Sequence, residues 1–146
     1  MNASIKDEIR ELLETAKSVY ISSVNEAGYP NTKAVFTLSS EGIATHYFSS
    51  NLSARRTGQY LQNPKACIYF CRETDFQGLM LVGRMQVLTD RAHKARLWRE
   101  GYEIYYPKGI DDEDYCILKF TAAHGNYYHG PVNHSFTVEE ALSWNI

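Results

Sequence analysis

The stretch SVYISSVNEAGYPNTKAVFTLSSEGIATHYFSS, residues 18–50, decides the fold class. It contains three runs rich in β-branched and aromatic residues, at 18–25, 32–39 and 43–50, with a tight turn signal after each of the first two. Links this short join antiparallel neighbours, because a parallel crossover needs a dozen or more residues. The stretch therefore predicts an antiparallel meander of two hairpins.

Further strands and short helices are predicted outward from this meander. The strands lie at 65–71, at 78–88 with a bulge at Gly83, at 114–121 and at 125–130. The helices lie at 4–17, at 53–63 with Ser53 as its cap, and from Thr89 or Asp90 to about Gly101. Mostly hairpin links predict a mainly β fold, a six- to seven-stranded antiparallel barrel flanked by helices, in one domain over 1–146.

The composition is that of an ordinary globular domain. Of the 146 residues 44% are hydrophobic and 22% are charged, and the formal net charge is -2. The sequence pI near 6.2 argues against a broad basic surface for nucleic acid or for an anionic membrane. Apolar runs stay well short of the roughly 18 residues of a membrane span. Charged residues from Lys6 to Glu11 argue against a signal peptide.

The three cysteines predict a reduced, cytoplasmic protein. Cys67 and Cys71 stand four positions apart in one predicted strand, which separates their Cα atoms by about 13 Å. A disulfide requires Cα atoms about 4.4–6.8 Å apart, so these two thiols cannot pair within that strand. Cys116 is expected to be a buried thiol.

The residues with the clearest chemical signal stand where the third run ends and the second helix begins. They are Ser49, Ser50, Asn51, Ser53, Arg55 and Arg56. The first N–H groups of a helix lack partners inside it and carry the positive end of its dipole, which attracts anions. Arginine forks suit phosphate oxygens, so the segment indicates a phosphate monoester site. A capped surface helix with two solvated arginines is the alternative.

Lys33 is the second candidate. If the hairpin forms, Lys33 lies beside residues 43–50 and contacts the ligand from the side. The alternative is an outward-facing lysine on an alternating strand.

The same segment resembles a known family. FSSNLSARRTGQYLQNP (48–64), followed by KACIYF, is similar to the pyridoxamine 5'-phosphate oxidase family, whose members bind FMN in a split β-barrel. The matching residues are Ser50, Asn51, Leu52, Arg55, Arg56, Gln59, Asn63 and Pro64. Segments 30–36, 81–87 and 97–112 extend the resemblance over most of residues 5–128 and point to the general-stress-protein branch.

The resemblance implies a split barrel that forms homodimers with FMN at the subunit interface. The phosphate would bind Arg55, Arg56 and the hydroxyl of Ser49 or Ser50, and the ring would lie along residues 33–36. A positive group such as Lys33 near the pyrimidine edge of the ring would favour the reduced anionic form. The cofactor contacts predicted in this way are Lys33, Ala34, Val35, Phe48, Ser49, Ser50, Asn51, Ser53, Arg55 and Arg56.

Departures from the family pattern argue against pyridoxamine-phosphate oxidase activity itself. Leu38 replaces a second basic residue, and the closing Arg-x-x-Pro segment is missing. The flavin-contacting glutamine falls near Gly78, one residue after Gln77, and Tyr127 or Tyr128 replaces a tryptophan. We therefore expect an FMN-dependent oxidoreductase with an unidentified substrate and NAD(P)H or another small molecule as electron donor.

Three alternatives stay open: a non-catalytic flavin protein that acts as a sensor, carrier or store, a barrel that binds haem or another planar cofactor, and a single-stranded nucleic-acid binder. The acidic balance counts against the last of these. The histidines at 124, 129 and 134 recur every five residues, which suits no single helix face, so we expect surface or interface residues and no metal site.

Overall fold

The computed structural model describes residues 3–146. Its eight strands are β1 (Val19–Val24), β2 (Pro30–Val35), β3 (Ser39–Glu41), β4 (Thr45–Asn51), β5 (Lys65–Arg72), β6 (Gln77–Leu88), β7 (Tyr115–His129) and β8 (Val132–Thr137). The four α-helices are α1 (Ala3–Thr15), α2 (Arg55–Gln62), α3 (Arg91–Leu97) and α4 (Val138–Ala141). Single 3-10 turns follow β5, interrupt the irregular stretch before β7 and end the chain after α4.

All eight strands belong to one antiparallel sheet in the order β2-β1-β5-β6-β7-β4-β3, with β8 also paired to β7. Its two end strands, β2 and β3, are consecutive in the chain and are linked by residues 36–38. Four Cα steps span at most about 14 Å, so the two ends of the sheet approach each other there. The sheet therefore curls round without a ladder that closes it, as a split barrel does.

The bulge that the sequence predicted at Gly83 is present in β6. The pairing of β6 with β7 shifts register between Val82 and Gly83. A Cβ atom at Gly83 would lie 2.9 Å from the Cα of Ala122, so the two backbones approach too closely for a side chain.

The concave face of the sheet encloses the main core. Strand β1 illustrates the alternation, since Val19 and Ile21 are buried and Tyr20 and Ser22 are half-buried on the other face. Helix α1 contributes Ile9 and Leu12 to this core. A second, tyrosine-rich core packs outside β4 and β7 and contains Leu38, Tyr47, Leu97, Tyr106, Tyr115 and Ile117.

The predicted hairpin between residues 32–39 and 43–50 is wrong along most of its length. Lys33 pairs with Ile21 of β1, whereas β4 pairs with β7 and with the short β3. The chain bends between β2 and β3 because Val35 packs against the main core and Leu38 is buried in the second core. Lys33 is therefore not a strand neighbour of residues 43–50.

Three smaller differences separate the observed elements from the predicted ones. Strands β3 and β8 bring the count to eight where six to seven were expected. The predicted strands at 114–121 and 125–130 are one strand, β7. Helix α3 ends at Leu97, because Trp98 adopts an extended conformation.

Cys67, Cys71 and Cys116 are free thiols, and Cys116 is buried as expected. Within residues 3–146, no helix is long and apolar enough to cross a membrane. The same part of the chain holds no cluster of three metal-ligating side chains.

Candidate functional site

The corner between β4 and α2 is held in shape by hydroxyl groups. Thr57 Oγ1 donates to the Asn51 carbonyl at 2.7 Å and lies 3.1 Å from Ser50 Oγ. The buried Tyr106 hydroxyl donates to the Ser50 carbonyl at 3.1 Å. These bonds fix the backbone at the point where the strand becomes the helix.

Ser53 is not the cap of this helix, which corrects the prediction. Its N–H donates to Asp114 Oδ1 at 2.8 Å and its hydroxyl donates to Asp114 Oδ2 at 2.9 Å, while Asn51 Nδ2 donates to the same carboxylate at 3.1 Å. These donors, the Ser53 N–H foremost, hold the pKa of Asp114 below its usual value. The carboxylate draws Ser53 away from the helix, so Ala54 becomes the N-cap and no side chain caps α2.

The N-terminus of α2 is consequently open. The N–H groups of Arg55 and Arg56 find no hydrogen-bond acceptor in the described chain. Unpaired N–H groups and the positive end of the helix dipole attract an anion, and both residues that carry them here are arginines. The corner is therefore built to receive negative charge.

The Arg56 side chain supplies a second sign of an absent partner. Its Nε is one of two enclosed side-chain polar atoms without a hydrogen-bond partner in the described residues, the other being Thr37 Oγ1. A buried donor without an acceptor is costly, so native proteins rarely retain one unless a ligand or water completes it. Arg56 lies close to Tyr106: burial raises the pKa of Tyr106 to about 12, and the charge of Arg56 acts against that rise.

Arg55 faces a different space. It lines a cleft of about 1050 Å³ between α2 and the turn that joins β1 to β2. Because consecutive helix residues point about 100° apart, the two guanidiniums leave the helix in different directions. The corner thus offers two N–H groups and two separately aimed cations.

Strand β2, which carries Lys33, contributes Pro30 and Asn31 to the wall of this cleft. Asn31, which shares a face of β2 with Lys33, donates to Gln59 Oε1 at 3.4 Å, and Ser23 also donates to that oxygen. Gln59 lies one helical turn after Arg55. Strand β2 is thus fastened to the arginine-bearing helix through Asn31 and Gln59, with the exposed Lys33 two positions along the strand.

The other predicted cofactor contacts differ in how accessible their side chains are to a ligand. Phe48 is fully buried in the main core, so its side chain faces away from solvent. Ser50 is buried against Thr57, whereas Ser49 is half-buried. Ala34 is exposed, and Val35 packs against the main core.

Sequence reasoning missed Asp114 and the bond that Gln59 makes in this corner. Asp114 stands one residue before β7, and Asn51, the last residue of β4, pairs with Tyr115. That strand pairing was the missing signal, because it brings residues 63 positions apart into contact. The matched Gln59 stood in the quoted motif, but its bond to β2 depends on the packing of α2.

Gln77 is next to the position of the expected flavin-contacting glutamine. Its side chain is hydrogen-bonded within the protein. It is buried, and its amide donates to the Tyr127 hydroxyl at 2.7 Å, which in turn donates to Glu8 at 2.6 Å. The bond from Tyr127 is the largest of the effects that lower the pKa of Glu8. Gln77 and Tyr127 therefore fasten α1 to the sheet.

Among residues 3–146, the histidines are not grouped with two further metal-ligating side chains. His124 is exposed, His129 contacts Glu8 at 3.2 Å and His134 is half-buried. His46 is fully buried, with Ser40 Oγ 2.7 Å from Nδ1 and the Ile43 carbonyl 2.9 Å from Nε2. Burial lowers the pKa of His46 to about 4, so its ring is neutral.

Known structures share this architecture. A protein from Clostridium acetobutylicum, related to general stress protein 26 of Bacillus subtilis, is 44% identical, with a TM-score of 0.86 over 96% of this chain and 99% of that one. An FMN-binding protein from Nostoc punctiforme is 10% identical, with a TM-score of 0.64 over 92% and 88%. A haem-binding protein from Mycobacterium smegmatis is 16% identical, with a TM-score of 0.73 over 95% and 59%. The last two establish the fold alone.

No protein of curated function matches the chain. The family model described as pyridoxamine 5'-phosphate oxidase matches residues 5–129, which include β1 to β7 and the β4–α2 corner. The chain therefore belongs to the pyridoxamine 5'-phosphate oxidase family.

Proposed function

We propose that the β4–α2 corner binds the phosphate of FMN. The observation that carries this proposal is the uncapped start of α2, where two unpaired N–H groups stand beside an arginine with an enclosed, unpartnered Nε. A phosphate monoester offers enough acceptor oxygens for all three groups. Hydrogen bonds to charged groups contribute roughly 1.5–3 kcal/mol each, so a few suffice for stable binding.

The flavin ring would lie along β2, with Lys33, Ala34 and Val35 at its polar edge. Strand β2 supports this placement because it pairs only with β1 within the described chain and carries exposed residues. A second copy of the chain would supply the opposite wall of the pocket. Exposed apolar side chains on the outer surface, such as Phe36 and Phe76, are consistent with such a homodimer.

With FMN bound, the protein would act as an oxidoreductase, because FMN supplies hydride and one-electron chemistry. Arg55 and Arg56 would hold the phosphate, and Asp114 and Tyr106 would hold the corner in shape. Lys33 would place positive charge beside the pyrimidine edge. NAD(P)H is the electron donor that we propose to test first, and free thiols are consistent with a cytoplasmic location.

Pyridoxamine 5'-phosphate is not the proposed substrate. The position where the oxidase proper has a second basic residue is Leu38, which is buried in the second core. This side chain offers no charge for a substrate phosphate.

Two alternatives remain distinguishable. A flavin protein without turnover would bind FMN equally well and would not consume NADH or NADPH with an added acceptor. Haem would require an axial ligand, and the buried His46 has both ring nitrogens in hydrogen bonds. The absorbance spectrum of the cofactor released on denaturation separates flavin from haem.

The decisive experiment compares FMN with riboflavin, which lacks the phosphate. The double substitution Arg55→Ala and Arg56→Ala should weaken FMN binding at least a hundredfold, because two charge-assisted contacts are lost. Riboflavin affinity should stay within about threefold. Arg91→Ala serves as a matched control, since Arg91 is exposed and pairs with Asp111 far along the chain. Equal affinity of the double variant and the wild type for FMN would refute the phosphate site.

The role of Lys33 has its own test. Lys33→Ala should lower the midpoint potential of the bound flavin, because the reduced anion loses a nearby cation. An unchanged potential and an unchanged FMN affinity would remove Lys33 from the site.

A further inference from the structure

The hydroxyl of Thr37 is an enclosed polar group that the phosphate corner does not account for. Thr37 as a whole is half-buried, but its Oγ1 is enclosed and makes no hydrogen bond within residues 3–146. The only other enclosed side-chain polar atom of this kind in the described residues is Arg56 Nε, which the proposed phosphate would complete. A buried hydroxyl without a partner destabilises a protein, so native proteins rarely keep one unless a ligand or water bonds to it.

Thr37 lies in the short linker that crosses the open side of the sheet. Residues 36–38 join β2, along which the flavin ring is proposed to lie, to β3, which pairs with β4. The Leu38 N–H donates to the Tyr47 carbonyl at 2.9 Å, so the linker already runs beside β4 in the antiparallel direction of β3. The step back from Leu38 to Thr37 is therefore a step forward along β4, towards Ser49 and the phosphate corner. Thr37 thus stands between the strand proposed for the ring and the strand that ends at the phosphate.

The backbone around Thr37 is anchored on both sides. Val35 packs against the main core and Leu38 is buried in the second core. The Leu38 carbonyl also accepts a hydrogen bond from the guanidinium of Arg99. Because two residues span at most about 7 Å, Thr37 lies within that distance of Val35, where the proposed ring rests. A hydroxyl that is fixed in advance at this distance bonds a ligand at little entropic cost.

We propose that the Thr37 hydroxyl donates a hydrogen bond to a polar atom of the flavin ring. The ring offers nitrogen and carbonyl-oxygen acceptors along its polar edge. The phosphate already has Arg56 and the open N–H groups of α2. Arg56 and Thr37 would then hold the two ends of one ligand. This inference rests on the proposed binding of FMN, but it concerns the ring alone, so its test uses a flavin without the phosphate.

Riboflavin isolates the contact to the ring. Thr37→Val removes the hydroxyl and keeps the branched shape, so the affinities for riboflavin and for FMN should both fall about three- to tenfold, as the loss of one hydrogen bond allows. Thr37→Ser keeps the hydroxyl and should stay within about twofold of the wild type for both flavins. Thr121→Val is the control, because Thr121 is exposed and pairs with the end of β4 that lies away from the corner. Fluorescence titration of the purified, flavin-free full-length proteins measures these affinities.

Thermal unfolding separates a hydroxyl kept for a ligand from one with a structural role. In the flavin-free protein Thr37→Val eliminates a buried hydroxyl without a partner, so the melting temperature should rise by about 2–4 °C. A hydroxyl that bonds within the free protein would give the opposite sign, because its removal would break that bond. With saturating riboflavin the advantage of the variant should shrink or reverse, since only the wild type gains the bond to the ring.

Two results would each overturn the proposal: an unchanged riboflavin affinity of Thr37→Val, or a flavin-free Thr37→Val variant that melts below the wild type. The phosphate site fails or stands separately. The substitutions Arg55→Ala and Arg56→Ala should change the ratio of FMN affinity to riboflavin affinity, whereas Thr37→Val should leave that ratio unchanged. If Thr37→Val weakens riboflavin and the arginine substitutions leave the ratio unchanged, the ring contact stands and the phosphate site is wrong; the reverse pattern rejects the ring contact alone.

Discussion

Helices α2 and α3 have similar lengths, eight and seven residues, and begin in opposite ways. Asp90 caps α3 by accepting the His93 N–H at 3.0 Å, and its carboxylate lies 2.8 Å from His93 Nδ1. Helix α2 begins at Arg55, and its N-cap residue, Ala54, makes no side-chain cap bond. The same chain therefore caps one helix and leaves the other open.

The two helices also differ in where their positively charged side chains lie. Helix α3 carries Lys94 and Arg96 in its last turn, where the helix dipole is negative and cations are stabilising, and its first-turn cation, Arg91, is paired with Asp111 at 3.0 Å. Helix α2 carries Arg55 and Arg56 in its first turn, where the dipole repels them. An arrangement that destabilises the free protein becomes favourable once an anion binds, so the difference between the two helices supports the phosphate site that we propose at α2.

The largest effect is expected when α2 is given an aspartate N-cap like that of α3. Ala54→Asp should place a carboxylate on the free N–H groups and beside the arginines. FMN affinity should fall about a thousandfold, equal to about 4 kcal/mol, because two charge-assisted bonds are lost and the phosphate is repelled. Melting temperature without ligand should rise, since the helix gains a cap.

Ala54→Asn controls for the size of the new side chain without its charge. Its effect on FMN affinity should be smaller than that of Ala54→Asp. A thermally stabilised Ala54→Asp variant that binds FMN normally would show that the open N-terminus has no part in binding.

A buried group that makes all its hydrogen bonds within the protein should affect stability and should not affect ligand binding. His46 is such a group, and burial lowers its pKa from 6.5 to about 4. In the unfolded chain the His46 ring is protonated below about pH 6.5, whereas in the folded chain it is protonated only below about pH 4. The contribution of the neutral His46 ring to the free energy of unfolding is therefore complete above pH 6.5. It falls by about 3 kcal/mol as the pH drops from 6.5 to about 4.

Urea unfolding at pH 7 and pH 4.5 measures this loss. His46→Gln should be less stable at pH 7 and should show a smaller decrease between the two pH values than the wild type. An identical pH dependence of the two proteins would exclude His46 as the titrating group.

The sequence predicted the elements better than their arrangement. The β-branched runs and the turn signals located most strands, because local alternation and turn chemistry act within a few residues. Which strands become neighbours was not predictable in the same way. Lys33 pairs with β1 and not with β4 because Val35 and Leu38 enter different cores, a choice that depends on the whole barrel.

In the candidate site, too, the local features were predictable from the sequence and the long-range contacts were not. The arginines and their position at a helix start were readable from residues 48–64. Asp114 was not, because it reaches Ser53 through the pairing of β4 with β7. Its removal of Ser53 from the cap position turned an expected capped helix into an open one.

Tyr106 tests how far the open corner depends on the tyrosine-rich core behind it. Tyr106→Phe keeps the ring and removes the hydroxyl that donates to Ser50 O at 3.1 Å. The buried carbonyl loses a partner, so the free energy of unfolding should fall by about 1 kcal/mol. FMN affinity should fall a few fold if the corner relaxes. Chemical denaturation and FMN titration of the same preparations separate the two effects, and Tyr105→Phe, at an exposed ring, is the control.

Opening α3 is the smallest and most specific change. Asp90→Ala removes the acceptor for the His93 N–H and should lower the melting temperature by roughly 3 °C, as the loss of a cap does. The His93 N–H lowers the pKa of Asp90 more than any other group does, so this stabilisation is present above the usual aspartate pKa of 3.8 and disappears as the pH falls below it. FMN affinity should not change. An open helix start alone does not make an anion site, because Arg91, the first-turn cation of α3, already pairs with Asp111 at 3.0 Å; tight phosphate binding by Asp90→Ala would contradict that argument.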